Sequence, residues 1–179
     1  MASLRKASSY SKKKVRPYTR KSSKRKKAYI KTIPQSKIVK FNMGDAKGYN
    51  QGKHPFTVKL IATEKIQMRD NALESCRLLI FKILEKAVQG EYYFEIKVYP
   101  HHILRENKIA AGAGADRLSS GMRHAFGVTT GRAAIIQKGK EIFRVTCSTE
   151  KAARIARKAF TTAKPKIPCK TKISLEKSK

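Results

Sequence analysis

Acidic residues are scarce in this chain. Asp and Glu total 12 against 42 Lys and Arg, which leaves a formal net charge of +30 over 179 residues. A surplus of that size repels itself in a compact state, so a polyanionic partner is its natural complement. Tryptophan is absent, and cysteine occurs only at Cys76, Cys147 and Cys169, with no Cys-x-x-Cys pair. Structural zinc sites draw their ligands in close pairs, so this spacing argues against metal and for ordinary core thiols. His101 and His102 are adjacent while His54 and His124 stand alone, and none has the spacing of a metal-binding pair on a helix. No apolar run is long enough to cross a bilayer, and no lipidation signal is present. The basic N-terminal stretch lacks the apolar segment that a secretory signal needs. The expectation is a soluble cytoplasmic protein with no membrane partner, no cofactor and no small-molecule substrate.

What the chain does have is positive charge along its whole length. Residues 1–33 carry 13 Lys/Arg and no acid, leaving a surplus of 17 for the rest. This arm has almost no large aliphatic residues, so it is expected to stay disordered until it binds RNA. Its tyrosines, Tyr10, Tyr18 and Tyr29, alternate with bases. Lys and Arg neutralise phosphate while Tyr stacks on unpaired bases, a combination suited to RNA.

Ordered structure is expected from about Ser36, as one domain covering residues 34–179. Ile38, Val39 and Phe41 suggest a short strand, with a connection from Asn42 to Gly52, and Phe56 to Ala62 reads as a second strand. A helix is predicted from Ile66 to Val88, its apolar face carrying Ala72, Cys76, Leu79, Ile80, Ile83 and Ala87, with Gly90 ending it. Tyr92 to Tyr99 alternates as a half-buried strand closed by Pro100. Arg132–Gln137 and Glu141–Cys147 look like a hairpin turning at residues 138–140. Thr149 is placed to cap a second helix reaching about Thr162, which Pro165 and Pro168 prevent from continuing. Lys170 to Leu175 would return as an edge strand. The pattern predicts an α+β fold, two helices packed on a mostly antiparallel sheet.

Between these elements runs a long connection, Pro100 to Gly131. Loops of this length inside compact domains are functional or disordered. Small residues at its centre permit close backbone approach, and Arg105, Lys108, Arg117 and Arg123 supply charge. A dinucleotide fingerprint fails because Arg117 occupies the third glycine position after Gly114, and no Gly-Lys-Ser/Thr is present for a P-loop. Glu106 and Asp116 neighbour arginines, which fits structural ion pairs and not general acid–base work. The chain is therefore not expected to be an enzyme.

The run from Tyr99 to Gly127 closely resembles the universal large-subunit ribosomal protein L sixteen family. The matching pieces are Leu-Arg-Glu-Asn-Lys (104–108), Gly-Ala-Gly-Ala-Asp-Arg (112–117), Gly-Met-Arg (121–123) and Ala-Phe-Gly (125–127). Pro-Tyr-Thr-Arg (17–20) and Asn-Ala-Leu-Glu (71–74) extend the resemblance, which is to the archaeal and eukaryotic branch, L ten e, and to archaeal members within it. The chain departs from the family pattern at residues 128–131, Val-Thr-Thr-Gly, where Lys-Pro and a Gly are usual. It also carries an extra Lys-rich stretch between Arg20 and Ala28, and Asn42–Pro55 matches poorly.

The resemblance implies a structural constituent of the large subunit that binds rRNA and lies among neighbouring ribosomal proteins and late assembly factors. Its loop, residues 105–123 here, would point toward the peptidyl transferase centre and A-site tRNA. Candidate rRNA and tRNA contacts are Arg16, Tyr18, Arg20, Lys24, Arg25, Lys26, Lys27 and Tyr29 in the arm, and Arg105, Asn107, Lys108, Arg117, Arg123 and Arg132 in and after the loop. The loop tip comprises Gly112, Ala113, Gly114, Ala115, Asp116, Ser119, Ser120, Gly121 and Met122. The other reading of the charge is a general nucleic-acid compaction protein, which would not require the loop sequence.

Overall fold

The computed structural model describes residues 8–11, 16–21, 30–107, 112, 114 and 121–177. Among these, four helices and eight strands build an α+β domain in which every paired strand is antiparallel. In chain order they are α1 (Ser8–Ser11), β1 (Asn42–Gly44), α2 (Ala46–Asn50), β2 (Phe56–Ala62), β3 (Ile66–Arg69) and α3 (Asp70–Val88). There follow β4 (Tyr92–Ile96), β5 (His102–Glu106), β6 (Val128–Ile136), β7 (Glu141–Cys147), α4 (Glu150–Ala163) and β8 (Thr171–Lys177). A single 3-10 turn, Lys164–Lys166, joins α4 to β8.

Two sheets share the strands. A five-stranded sheet runs in the order β1-β4-β7-β2-β8, and a three-stranded one runs β3-β6-β5. The predicted 132–147 hairpin is therefore incorrect: β6 pairs with β3 and β5, whereas β7 lies between β4 and β2. The turn between them is stitched to the end of β2 instead, where Gly139 N–H donates to the Ala62 carbonyl and Ala62 N–H to that of Lys140. Both Phe143 and Val145 of β7 are fully buried, and they pair across to Leu60 and Val58 of β2 on one side and Ile96 and Phe94 of β4 on the other. Those partners are distant in sequence, so adjacency along the chain gave the wrong neighbour.

Three further boundaries differ from the sequence reading. The helix starts at Asp70, because Ile66–Arg69 is a strand laddered to Ala133–Ile136. Ile66, Gln67 and Met68 are all buried, so both faces of the strand are covered, and that tertiary pairing overrides a local pattern compatible with a helix. The first strand is Asn42–Gly44, so the region expected to be a connection holds β1 and the short α2, whose N-cap Asp45 accepts from Gly48 N–H at 2.8 Å. Strand β4 ends at Ile96, although the inward alternation continues through Val98.

The buried side of α3 is Leu73, Cys76, Ile80, Leu84 and Val88. Ala72, Leu79 and Ile83 are only partly covered and Ala87 is exposed, so the helix is rotated relative to the predicted face. Helix α4 follows expectation closely. Thr149 Oγ1 accepts from Ala152 N–H at 3.2 Å, and Ala152, Ala156, Ala159 and Phe160 are fully buried. Small alanines on that face let α3 and α4 approach each other over the sheets. Cys76 and Cys147 are buried and Cys169 is half-buried. Burial pushes all three thiols up, to about 11, 12 and 11 in that order, which keeps them protonated and inert.

Candidate nucleic-acid interface

The three-stranded sheet carries the loop. Its edge strand β5 leads in and its central strand β6 leads out, so the predicted connection from 100 to 131 is shorter than the sequence suggested. Leu104, Arg105 and Glu106 belong to a strand. Across from them, β6 carries a bulge: Leu104 faces Gly131, Arg105 faces Thr129, and Thr130 is the extra residue. The bulge falls within residues 128–131, the Val-Thr-Thr-Gly stretch.

Loop entrance and exit are bound together in a neck. Asn107 Nδ2 donates to the Gly121 carbonyl at 3.0 Å, and Arg105 donates to the Phe126 carbonyl at 3.2 Å. Residues 121–126 form turns closed by Ala125 N–H to Met122 O and Gly127 N–H to His124 O. Gly127 sits at φ +74°, and a Cβ there would lie 2.5 Å from the Glu106 carbonyl group and 2.6 Å from Asn107 N. Only glycine lets the two arms of the neck cross this closely.

The N-terminal arm meets the same place. Ile103 N–H donates to the Tyr18 carbonyl at 2.9 Å, and Tyr18 N–H donates to His102 Nδ1 at 2.9 Å. Tyr18 thus covers the open edge of β5, and the His102 proton must reside on Nε2. Burial, helped by the nearby Arg105 charge, pushes His102 down to about 4, so it stays neutral and remains an acceptor. The Arg105 guanidinium stands over two rings at once, 4.1 Å from the Tyr18 centroid and 4.1 Å from that of Phe126. Tyr18 and Phe126 meet edge-on at 6.2 Å. One arginine therefore joins arm, entrance strand and loop exit.

Sequence reading singled out Arg105, Asn107, Gly121 and Tyr18 and did not see that they converge. It missed His102 and Phe126 as members of this cluster; the only signal was an aromatic and a histidine flanking the long connection. Arg123 and Met122 lie exposed beside the neck, and Phe126 and Val128 are exposed as well. Gly112 and Gly114 are exposed with positive φ. Arg16 and Arg20 are exposed in the arm. Arg132 is turned elsewhere: it donates to the Pro34 carbonyl at 2.6 Å and to the Tyr99 hydroxyl at 3.1 Å, tying down the approach to β1. Lys24, Arg25, Lys26, Lys27, Tyr29, Lys108, Ala113, Ala115, Asp116, Arg117, Ser119 and Ser120 lie outside the described residues.

Fold and neck together define a strongly basic α+β domain in which a glycine-rich segment is bracketed by bonded ends. The family model described as ribosomal protein L16p/L10e matches residues 16–174, and the chain belongs to that family of large-subunit ribosomal proteins. Among curated relatives, the large ribosomal subunit protein uL16 of Methanococcus maripaludis is 42% identical over 165 residues, covering 92% of this chain and 89% of the relative. That of Halobacterium salinarum is 41% identical over 158 residues, covering 88% and 89%. That of Archaeoglobus fulgidus is 40% identical over 163 residues, covering 90% and 87%. The chain is accordingly a structural component of the large subunit of the cytoplasmic ribosome and not an enzyme.

Proposed function

We propose that the chain binds large-subunit rRNA through its basic surfaces and uses the 105–123 loop to support A-site tRNA near the peptidyl transferase centre, joining the subunit late in assembly. The neck carries this reading. A loop that must meet RNA at a fixed place needs its ends held rigidly, and Arg105, Asn107, Gly127 and Tyr18 hold them. Around the neck, Met122 is 70% and Phe126 47% exposed beside Arg123, a mixture of apolar surface and positive charge that suits unpaired bases and phosphate. Arg105, expected to touch RNA, acts in this reading by placing the loop. Arg132 supports the domain in the same indirect way. Arg16, Arg20 and Arg123, with the arm and loop residues outside the described segments, remain the proposed direct contacts.

The arm, residues 1–33, is proposed to complete its ordering on rRNA. Its described residues already touch the domain: Tyr18 through β5, Tyr10 through its carbonyl, which accepts from Gln67 Nε2 at 3.2 Å, and Ile30 by burial. Density-gradient fractionation of native lysate at low and high salt tests the ribosomal role. Stoichiometric migration with the large subunit at both salts is expected. Migration with bulk DNA, or release to the top of the gradient, would favour a general compaction protein.

A further inference from the structure

Helix α3 has a second apolar stripe that the domain covers only in part. Leu78 is 52% exposed, and Leu79 and Ile83 beside it are only partly buried. Together with the segment at Lys37 and the turn after α4, they line an open groove of about 600 Å³. The lining residues of α3 run from Asn71 to Ile83 on one face, roughly 18 Å of helix, the length of about three turns. Three lysines rim it, Lys37, Lys82 and Lys166, all exposed. The one carboxylate in the lining, Glu74, is already engaged. It takes two hydrogen bonds from the buried Arg77, one of them at 2.7 Å, and these hold it well below the usual carboxylate range.

Apolar floor and cationic rim narrow the occupant. A second copy of the chain carries the same +30 charge and is repelled. The chain's own arm, with 13 Lys/Arg and no acid, is excluded on the same ground. RNA would satisfy the lysines but would leave Leu78 and Ile83 facing phosphate and sugar. We propose that the groove docks an acidic amphipathic helix of a neighbouring protein, with its apolar face on Leu78, Leu79 and Ile83 and its carboxylates on Lys37, Lys82 and Lys166. Such a helix laid in a groove is a common recognition mode, read at i, i+3, i+4 and i+7. The groove does not involve the loop neck, so the proposal extends the ribosomal reading without depending on what the loop does.

The probe is a labelled helical peptide of about four turns, with leucines at i, i+3, i+4 and i+7 and glutamates elsewhere. Its control has the same composition in scrambled order. Against the full-length protein at about physiological salt, with the equally charged scrambled peptide controlling for non-specific attraction, the patterned peptide should bind at least about tenfold more tightly than the scrambled one. Leu78→Asp should abolish that difference while leaving the thermal midpoint unchanged; if Leu78→Asp unfolds the chain, Lys82→Glu, at an exposed position, should weaken the patterned peptide instead. Equal binding of the two peptides, or a preference indifferent to both substitutions, would overturn the proposal. So would a photo-crosslinker at position 78 that, in purified large subunits, joins RNA or a second copy. Because the gradient experiment reads subunit association and the peptide reads the groove, either can fail alone.

Discussion

Arg105 carries a charge that composition assigns to RNA and a flat guanidinium that the structure gives to two aromatic rings and a carbonyl. Planarity decides what can replace it. Lysine keeps the charge but cannot lie over Tyr18 and Phe126 while donating in-plane to the Phe126 carbonyl. Arg105→Lys and Arg105→Ala should therefore both weaken the neck by about 1–2 kcal/mol. Limited proteolysis between residues 107 and 121 should accelerate about tenfold in each, since cleavage follows the open population. Rescue by lysine would mean that charge alone matters.

His102 makes a pH prediction at the same scale. Its folded value of about 4 lies below the ordinary 6.5, so the unfolded chain binds the extra proton between those limits. This contribution to stability is complete above about pH 6.5 and is lost as pH falls toward 4, at no more than about 1.4 kcal/mol per pH unit. Glu74, held low chiefly by its hydrogen bonds from Arg77, loses its contribution as pH falls from its ordinary 4.5 toward its lower folded value, at the acid end of that window. Thermal melts from pH 7 to 4.5 should thus show a decline that His102→Gln flattens, since glutamine can still accept from Tyr18 N–H without titrating. An unchanged slope in that variant would remove His102 from the account.

At the scale of elements, what the sequence revealed depended on whether the cause was local. Helix α4 was legible because its cap, its alanine face and its terminating prolines all lie within about twenty residues. Strand β2 was legible from alternation alone. Strand β3 was not, because Ile66–Arg69 reads as helix until Ala133–Ile136 pairs with it. The separation of β6 from β7 was hidden for the same reason. The long loop stood out by length and composition, but its neck depends on Tyr18 meeting residues 102–126, contacts more than eighty positions apart. Packing between α3 and α4 gives a test here. Ala156 is fully buried on the alanine face, and Ala156→Leu should overpack it and cost about 1–3 kcal/mol in denaturant melts. A neutral result would mean that the helices do not approach as closely as the small residues imply.

Over the whole molecule, charge and shape divide the work. On the proposed reading, the +30 surplus would supply attraction to RNA without direction, while the two-sheet domain and its neck fix where the loop begins and ends. The α3 groove, on this account, faces a protein neighbour. Where the loop points can be read with a photo-crosslinker at Ala113, in the proposed tip, in purified large subunits carrying A-site tRNA. The account predicts crosslinks to the acceptor end of that tRNA or to rRNA of the peptidyl transferase centre, reduced when Arg105→Lys loosens the neck. Crosslinks confined to peripheral rRNA or to other proteins, and indifferent to Arg105, would contradict it.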